Sequence, residues 1–258
     1  MTDRETFTHV VYGNWAEWFH CPTEEFRLPG TVVIPDAEFA GSGAIHIWTI
    51  GRRAFARLDP AVEAEVVGAL GERVGNTAVT EDHLRAALAP GRIDRAEDSV
   101  LRYLYPPDHL PAYPPKHFII RAVTADDADA LSEMKATCTP DEVEMGEVSV
   151  EDEIGFGCFA SPFAADGPRM AAIATGFRLT GFMDIGVLTS PAYRRRGLGK
   201  AVVSALCTWC HELPIIAQYR CLLANPGSYA ISQALGFNRT FTQQSIYLRM
   251  SDVTTEDR

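Results

Sequence analysis

A strand running directly into a basic, glycine-bearing loop and then an amphipathic helix is the tightest constraint in this 258-residue chain. Met183, Ile185 and Val187 alternate as one face of a strand, and Ser190-Pro191 ends it. Arg194 to Lys200 form the loop. Val202, Val203, Leu206 and Cys210 then recur at the spacing of a buried helix face. The first turn of such a helix has N–H groups without intrahelical partners, and its dipole favours negative charge. Gly197 and Gly199 carry no Cβ and let the backbone come close to a ligand. Arg194, Arg195, Arg196 and Lys200 concentrate positive charge in a chain of net charge −11. A phosphate-bearing ligand is expected there.

Known glycine loops narrow the choice. A Walker loop requires glycine where Arg194 stands, and a dinucleotide fingerprint requires a small residue where Val202 stands. Gly155-Phe-Gly157-Cys-Phe-Ala160 fits the second pattern, but Ser161-Pro162 prevents a helix from following it. The remaining pattern, Arg194-x-x-Gly197-x-Gly199 after a strand, resembles the coenzyme loop of the GNAT superfamily of N-acetyltransferases. A second segment is similar to that superfamily's other coenzyme motif. An apolar strand at 213–223 leads to Asn225-Pro-Gly-Ser228, a helix, and Leu235-Gly236-Phe237. Asn225 and Ser228 stand where a helix is capped, and Gly236 suits its left-handed end.

The resemblance covers about residues 117–250 and implies an α+β fold. It would be a GNAT-like mixed, strongly bent central sheet flanked by helices, preceded by a smaller α+β N-terminal domain. It also implies acetyl-CoA as co-substrate, with Val187, Leu188 and Thr189 holding the pantetheine arm by backbone groups. Arg194, Arg195, Arg196, Gly197, Leu198, Gly199 and Lys200 would hold the pyrophosphate, with Asn225 and Ser228 alongside. The expected reaction is acetyl transfer from acetyl-CoA to a primary amine, by direct attack in a ternary complex. A catalytically inactive acyl-CoA-binding regulatory or sensor protein is the alternative.

The division of the chain is marked by five prolines between Pro106 and Pro115, which suit an extended linker rather than a helix or central strand. The expected domains are therefore 1–105, a linker at 106–116, and 117–258. Before the linker, 31–34, 44–50 and 53–58 alternate like strands. Asp59-Pro60 opens a helix running to about Val74, Thr80 opens another, and 100–104 is a strand. After it, 117–123 is a strand and Thr124 opens a helix. Residues 139–153, rich in acids, form a loop or short helices, and 154–159 and 170–177 are strands joined at Asp166-Gly167. Closing strands are expected around 237–241 and 245–250.

Composition excludes several classes. No run approaches the ~18 apolar residues of a membrane span, and no apolar leader follows Met1. The expectation is a cytoplasmic protein with no membrane partner. The negative charge argues against nucleic acid as a partner and modestly favours cationic substrates. Cys207-Thr-Trp-Cys210-His211 fits redox and haem-attachment patterns, but Cys210 falls at core spacing, so no haem and no metal are expected. Trp15, Trp18, Trp48, Phe19 and Phe26 read as core before pocket.

The proton-transfer groups are less defined. A lysine-like amine of pKa ~10.4 is only about 0.04% neutral at pH 7, so a base is needed more for that acceptor than for an α-amine. Many relatives carry a tyrosine seven residues after the motif asparagine to protonate the thiolate, and this chain has Ser232 there. Some protein-acetylating members carry a glutamate five residues before it, where this chain has Arg220. Asp184 is the best-placed carboxylate, Tyr229 the nearest alternative phenol, and Glu151 and Glu153 could act through water. The acceptor is expected to be a small-molecule or peptide amine. The assembly state stays open, a homodimer among the options.

Overall fold

The computed structural model describes residues 3–160 and 169–250. In chain order the elements are α1 (Arg4–Trp18), β1 (Gly30–Pro35), β2 (Ala44–Ile50), β3 (Arg53–Leu58), α2 (Glu63–Leu70), α3 (Arg73–Asn76), α4 (Glu81–Ala87) and β4 (Ile93–Tyr103). There follow β5 (Phe118–Ala122), α5 (Ala128–Lys135), α6 (Pro140–Gly146), β6 (Ile154–Ala160), β7 (Met170–Leu179) and β8 (Phe182–Thr189). The chain closes with α7 (Leu198–His211), β9 (Ile216–Leu222), α8 (Pro226–Ala234) and β10 (Arg239–Leu248). It divides into two compact units, and the division falls within α1, β4, β9 and β10.

One unit holds Trp15–Val100, Leu222–Ala224 and the described residues 241–250. Its strands run in the order β1-β3-β2-β10, with β1 parallel to β3 and the other pairs antiparallel. Ile45, Ile47, Leu58, Val66, Leu84 and Ile246 form its core. Phe19 stacks on Phe55 at 4.2 Å and on Trp15 at 5.6 Å, and these rings are buried with Phe26 and Trp48. The aromatic cluster is core, while Trp18 lies under the Arg57 guanidinium.

The helix expected from Asp59 to Val74 is broken. Asp59 does cap its start, accepting from the Ala61 N–H, but Gly71 takes φ +55° and ends α2. The two expected closing strands are one, β10. Gly236, at φ +92°, ends the preceding helix in the left-handed conformation expected of it, and no turn interrupts 239–248. The hairpin turn expected at Asp166-Gly167 lies outside the described residues.

The other unit comprises the described residues of Met1–Asn14, Leu101–Cys221 and Asn225–Thr240. Its strands run β9-β8-β7-β6-β5. Neighbours are antiparallel from β5 to β8, and β8 and β9 are parallel. Helix α7 packs on β6, β7 and β8, burying Val202, Val203, Leu206, Cys207 and Cys210 completely. Burial pushes the Cys210 thiol up to about 12, which is the behaviour of an inert packing residue. Helices α5 and α6 supply a second apolar layer, where Leu131, Met134, Phe159, Ile173 and Leu188 meet. This mixed sheet flanked by helices agrees with the expected fold class.

Candidate functional site

The site originates in the failure of two strands to stay together. β8 and β9 are paired only at Phe182↔Ile216, Met183↔Ala217 and Asp184↔Gln218. Beyond that point each continues without the other, and a cleft of ≈ 830 Å³ opens between them. That volume suits a ligand of substantial size. Ile185 to Thr189 line one side, Tyr219 and Arg220 the other, and Asn225 to Ser228 with Ala230 and Ile231 close it from α8.

The glycine loop opens onto the same cleft. Gly197, in the left-handed region at φ +79°, precedes α7, and no side chain caps the helix. Arg195 is also left-handed, at φ +64°, a conformation uncommon for a residue with a Cβ. Two such residues alternating with ordinary backbone curl the loop around the helix start, an arrangement that suits an anion. A Cβ on Gly199 would lie 2.9 Å from Thr189 Oγ1 and 3.3 Å from Ile231, so the helix start fits tightly between β8 and α8.

Arg194 is not a free cation. Its guanidinium pairs with Glu142 at 2.8 Å and its Nε donates to the Thr189 carbonyl at 3.2 Å. Glu142 also belongs to the capping box of α6, accepting from the Thr139 N–H at 3.0 Å. The Arg194 guanidinium and that N–H together hold the Glu142 carboxyl down to about 2. Arg195 and Lys200 form no ion pair among the described residues and supply the loop's available charge.

Helix α6 ends against β8. Glu147 takes a left-handed conformation, φ +46°, and a Cβ on Gly186 would lie 2.3 Å from the Glu147 carbonyl oxygen. Only glycine permits that approach. It sets the Glu147 carboxylate 2.6 Å from Arg220, whose Nε lies 3.4 Å from Asp184. Asp184 and its register partner Gln218 are buried. Asp184 Oδ1 and both amide atoms of Gln218 have no partner among the described residues.

All the loop and cap residues singled out from the sequence line this cleft except Arg196, which extends over the Tyr193 ring and donates to the Ala192 carbonyl. The three proposed catalytic groups do not line it. Asp184 sits behind Arg220. Ser232 is buried, accepting from Arg102 Nη1 at 3.1 Å and donating to the Tyr229 carbonyl at 2.9 Å. The Tyr229 ring lies against the Arg102 guanidinium at 5.0 Å. Glu153 is paired with Arg178. Sequence reasoning missed Tyr219, Glu142 and Glu147, all of which line the cleft. Tyr219 could be placed there only by knowing where β8 and β9 part.

Comparison with known proteins gives one family. Residues 153–245 match the model for GNAT acetyltransferases. A GNAT-family acetyltransferase from Novosphingobium aromaticivorans is 20% identical with a TM-score of 0.46, over 64% of this chain and 70% of its own. An acetyltransferase of the same family from Colwellia psychrerythraea is 12% identical with a TM-score of 0.47, over 75% and 76%. A Drosophila protein is 17% identical with a TM-score of 0.50, over 82% of this chain and 76% of its own, and shares the fold. No curated protein matches the chain. Among the described residues no helix is long and apolar enough to cross a membrane.

Proposed function

We propose that this chain, whose residues 153–245 match the model for GNAT acetyltransferases, transfers an acetyl group from acetyl-CoA to a primary amine. The observation that carries this reading is the parting of β8 and β9 after Asp184↔Gln218, with the uncapped start of α7 opening onto the gap. The residues present fit a polyanion joined to a long polar arm. N–H groups of the first turn of α7, with Arg195 and Lys200, would hold the pyrophosphate. The stretch Ile185 to Thr189, unpaired on its β9 side, offers backbone donors and acceptors along the arm.

Both substrates would occupy one cleft, and the amine would attack the thioester carbonyl directly. Holding two reactants in such a geometry can supply ~7–11 kcal/mol of the barrier. Asp141, Glu142 and Glu147 on the α6 side of the cleft are matched by Arg194 and Arg220, leaving that wall mildly acidic. An acceptor that is cationic before it loses a proton fits such a wall.

Release of free thiol from acetyl-CoA, in step with acetylation of an amine from a broad panel, tests the reading. One observation favours the alternative of a binding or sensor protein: Asp184, Tyr229 and Ser232 all lie outside the cleft. Tight coenzyme binding with no thiol release from any amine would establish that alternative.

A further inference from the structure

At the end of the cleft remote from the glycine loop, the side chains within reach carry both signs of charge. Thr189 adjoins the loop, its Oγ1 facing Gly199. Gly186 lies farther back along β8, about 10 Å away at strand rise. Extending the β8–β9 register beyond Asp184↔Gln218 brings Arg220 across the gap from Gly186. The end of α6 reaches the same point, because the Glu147 carbonyl packs on Gly186. An arm anchored at the loop and laid back along β8 therefore runs toward Glu147 and Arg220, both of which line the cleft.

The two residues pair at 2.6 Å. The Arg220 side chain is 33% exposed and that of Glu147 47%, so a molecule in the cleft can touch both. Arg220 turns its Nη2 to Glu147 and its Nε to Asp184, at 3.4 Å. A guanidinium carries five N–H donors and a carboxylate accepts on both oxygens, so each partner keeps capacity for a ligand. Two carboxylates share this guanidinium. The group therefore favours a further positive charge and disfavours a further negative one.

We propose that the Glu147–Arg220 pair selects an acceptor whose amine stands next to a carbonyl, the α-amino acyl unit of a peptide N-terminus. The assignment rests on the acetyltransferase reading above. Glu147 receives the ammonium, and Arg220 donates to the carbonyl oxygen. A plain alkylamine leaves those donors unmet, and a site built to bond an oxygen discriminates against a molecule without one. A free amino acid brings a carboxylate to a guanidinium that already serves two. An α-amine also needs less help to react. With a pKa near 7.8, about 14% of it is neutral at pH 7, against about 0.04% of a lysine-like amine. In the step, the ammonium gives a proton to water and the neutral nitrogen bonds to the thioester carbonyl carbon. The C–S bond breaks with its electron pair passing to sulfur, and the nitrogen's second proton ends on sulfur. The products are an amide, a free thiol and a proton in solution.

Thiol release by the full chain with acetyl-CoA tests this, using alanyl-alaninamide, free alanine and butylamine as acceptors. With kcat/KM expressed per neutral amine, the peptide amide should exceed butylamine by about 10- to 100-fold and free alanine by about 10-fold. Arg220→Lys keeps a cation beside Asp184 and Glu147 but loses the planar fork, and should shrink the first ratio about 10-fold. Equal values for the peptide amide and butylamine overturn the assignment while leaving the acetyltransferase reading in place. A ratio that Arg220→Lys leaves intact also overturns it. Alanine as the best of the three overturns the peptide assignment in favour of a free amino acid. A chain that binds coenzyme A and releases no thiol with any amine overturns the acetyltransferase reading itself, and the assignment with it.

Discussion

Glu142 and Arg194 form an ion pair at 2.8 Å that fastens the first turn of α6 to the loop before α7. The pair joins a helix cap to the glycine loop before α7, and Arg194 also reaches the end of β8. The loop thus owes its position to a residue more than fifty positions away in the chain.

Glu142→Gln should weaken coenzyme A binding about fivefold, a change of about 1 kcal/mol, measured by titration calorimetry. Its effect on fold stability should stay below about 1 kcal/mol, because the pair is partly exposed to solvent. The Glu142 carboxyl is held below its ordinary value of 4.5, so the contribution is complete above pH 4.5 and fades as pH falls toward about 2. Unfolding of wild type and variant across that range should converge at the acid end.

Arg220 and Asp184 should be strongly coupled. Removing Arg220 leaves Asp184 buried beside the unpartnered amide of Gln218. Arg220→Met should cost ~3–5 kcal/mol in urea unfolding, and adding Asp184→Leu should restore much of it. Additive losses from the two changes would contradict this pairing.

Gly186 is required by the close approach of α6. Gly186→Ala sets a methyl group 2.3 Å from the Glu147 carbonyl oxygen and should cost ~1–3 kcal/mol. A Cβ on Gly197 would meet nothing within 4 Å, so Gly197→Ala should cost only ~1 kcal/mol, for its left-handed backbone. Equal losses would show that local backbone strain, rather than packing against α6, decides both.

His109 predicts a weakly acid-sensitive fold. Its Nε2 lies 3.1 Å from Ser204 Oγ and its ring meets His211 edge-on at 5.0 Å. Burial first, and the neighbouring His211 second, push it from 6.5 down to about 4. The unfolded chain therefore takes up the proton first. Stability is complete above pH 6.5 and declines as pH falls to about 4, by on the order of 1–2 kcal/mol after screening. His109→Gln should flatten that part of the unfolding profile.

What could be read from the sequence follows from how local each feature is. The Arg194–Lys200 loop and the Asn225 cap are written in consecutive residues, because turn chemistry and helix starts depend on near neighbours. Arg196 shows the limit of that reading: it belongs to the basic run but points away from the cleft. Asp184 was conspicuous as a carboxylate on a strand before the loop, but a strand pattern does not reveal that a residue on another strand, Arg220, stands in front of it. Tyr219 was unremarkable within an apolar run. Its position depends on where two strands part, a property of the pair rather than of either sequence. Gly71 likewise interrupts a pattern that periodicity alone reads as one helix.

Thermal unfolding of the full chain with acetyl-CoA, for wild type and for Lys200→Glu, tests the central claim most directly. Lys200 lines the cleft at the start of α7, and reversing its charge should repel a pyrophosphate without filling space in the core. At a concentration near 100 times Kd, the ligand should add about 2.7 kcal/mol and raise Tm by roughly 5–10 °C in wild type. Most of that rise should be lost in the variant, with the ligand-free Tm unchanged. An equal rise in both would contradict the loop as the pyrophosphate site, and no rise in wild type at millimolar acetyl-CoA would contradict the coenzyme itself.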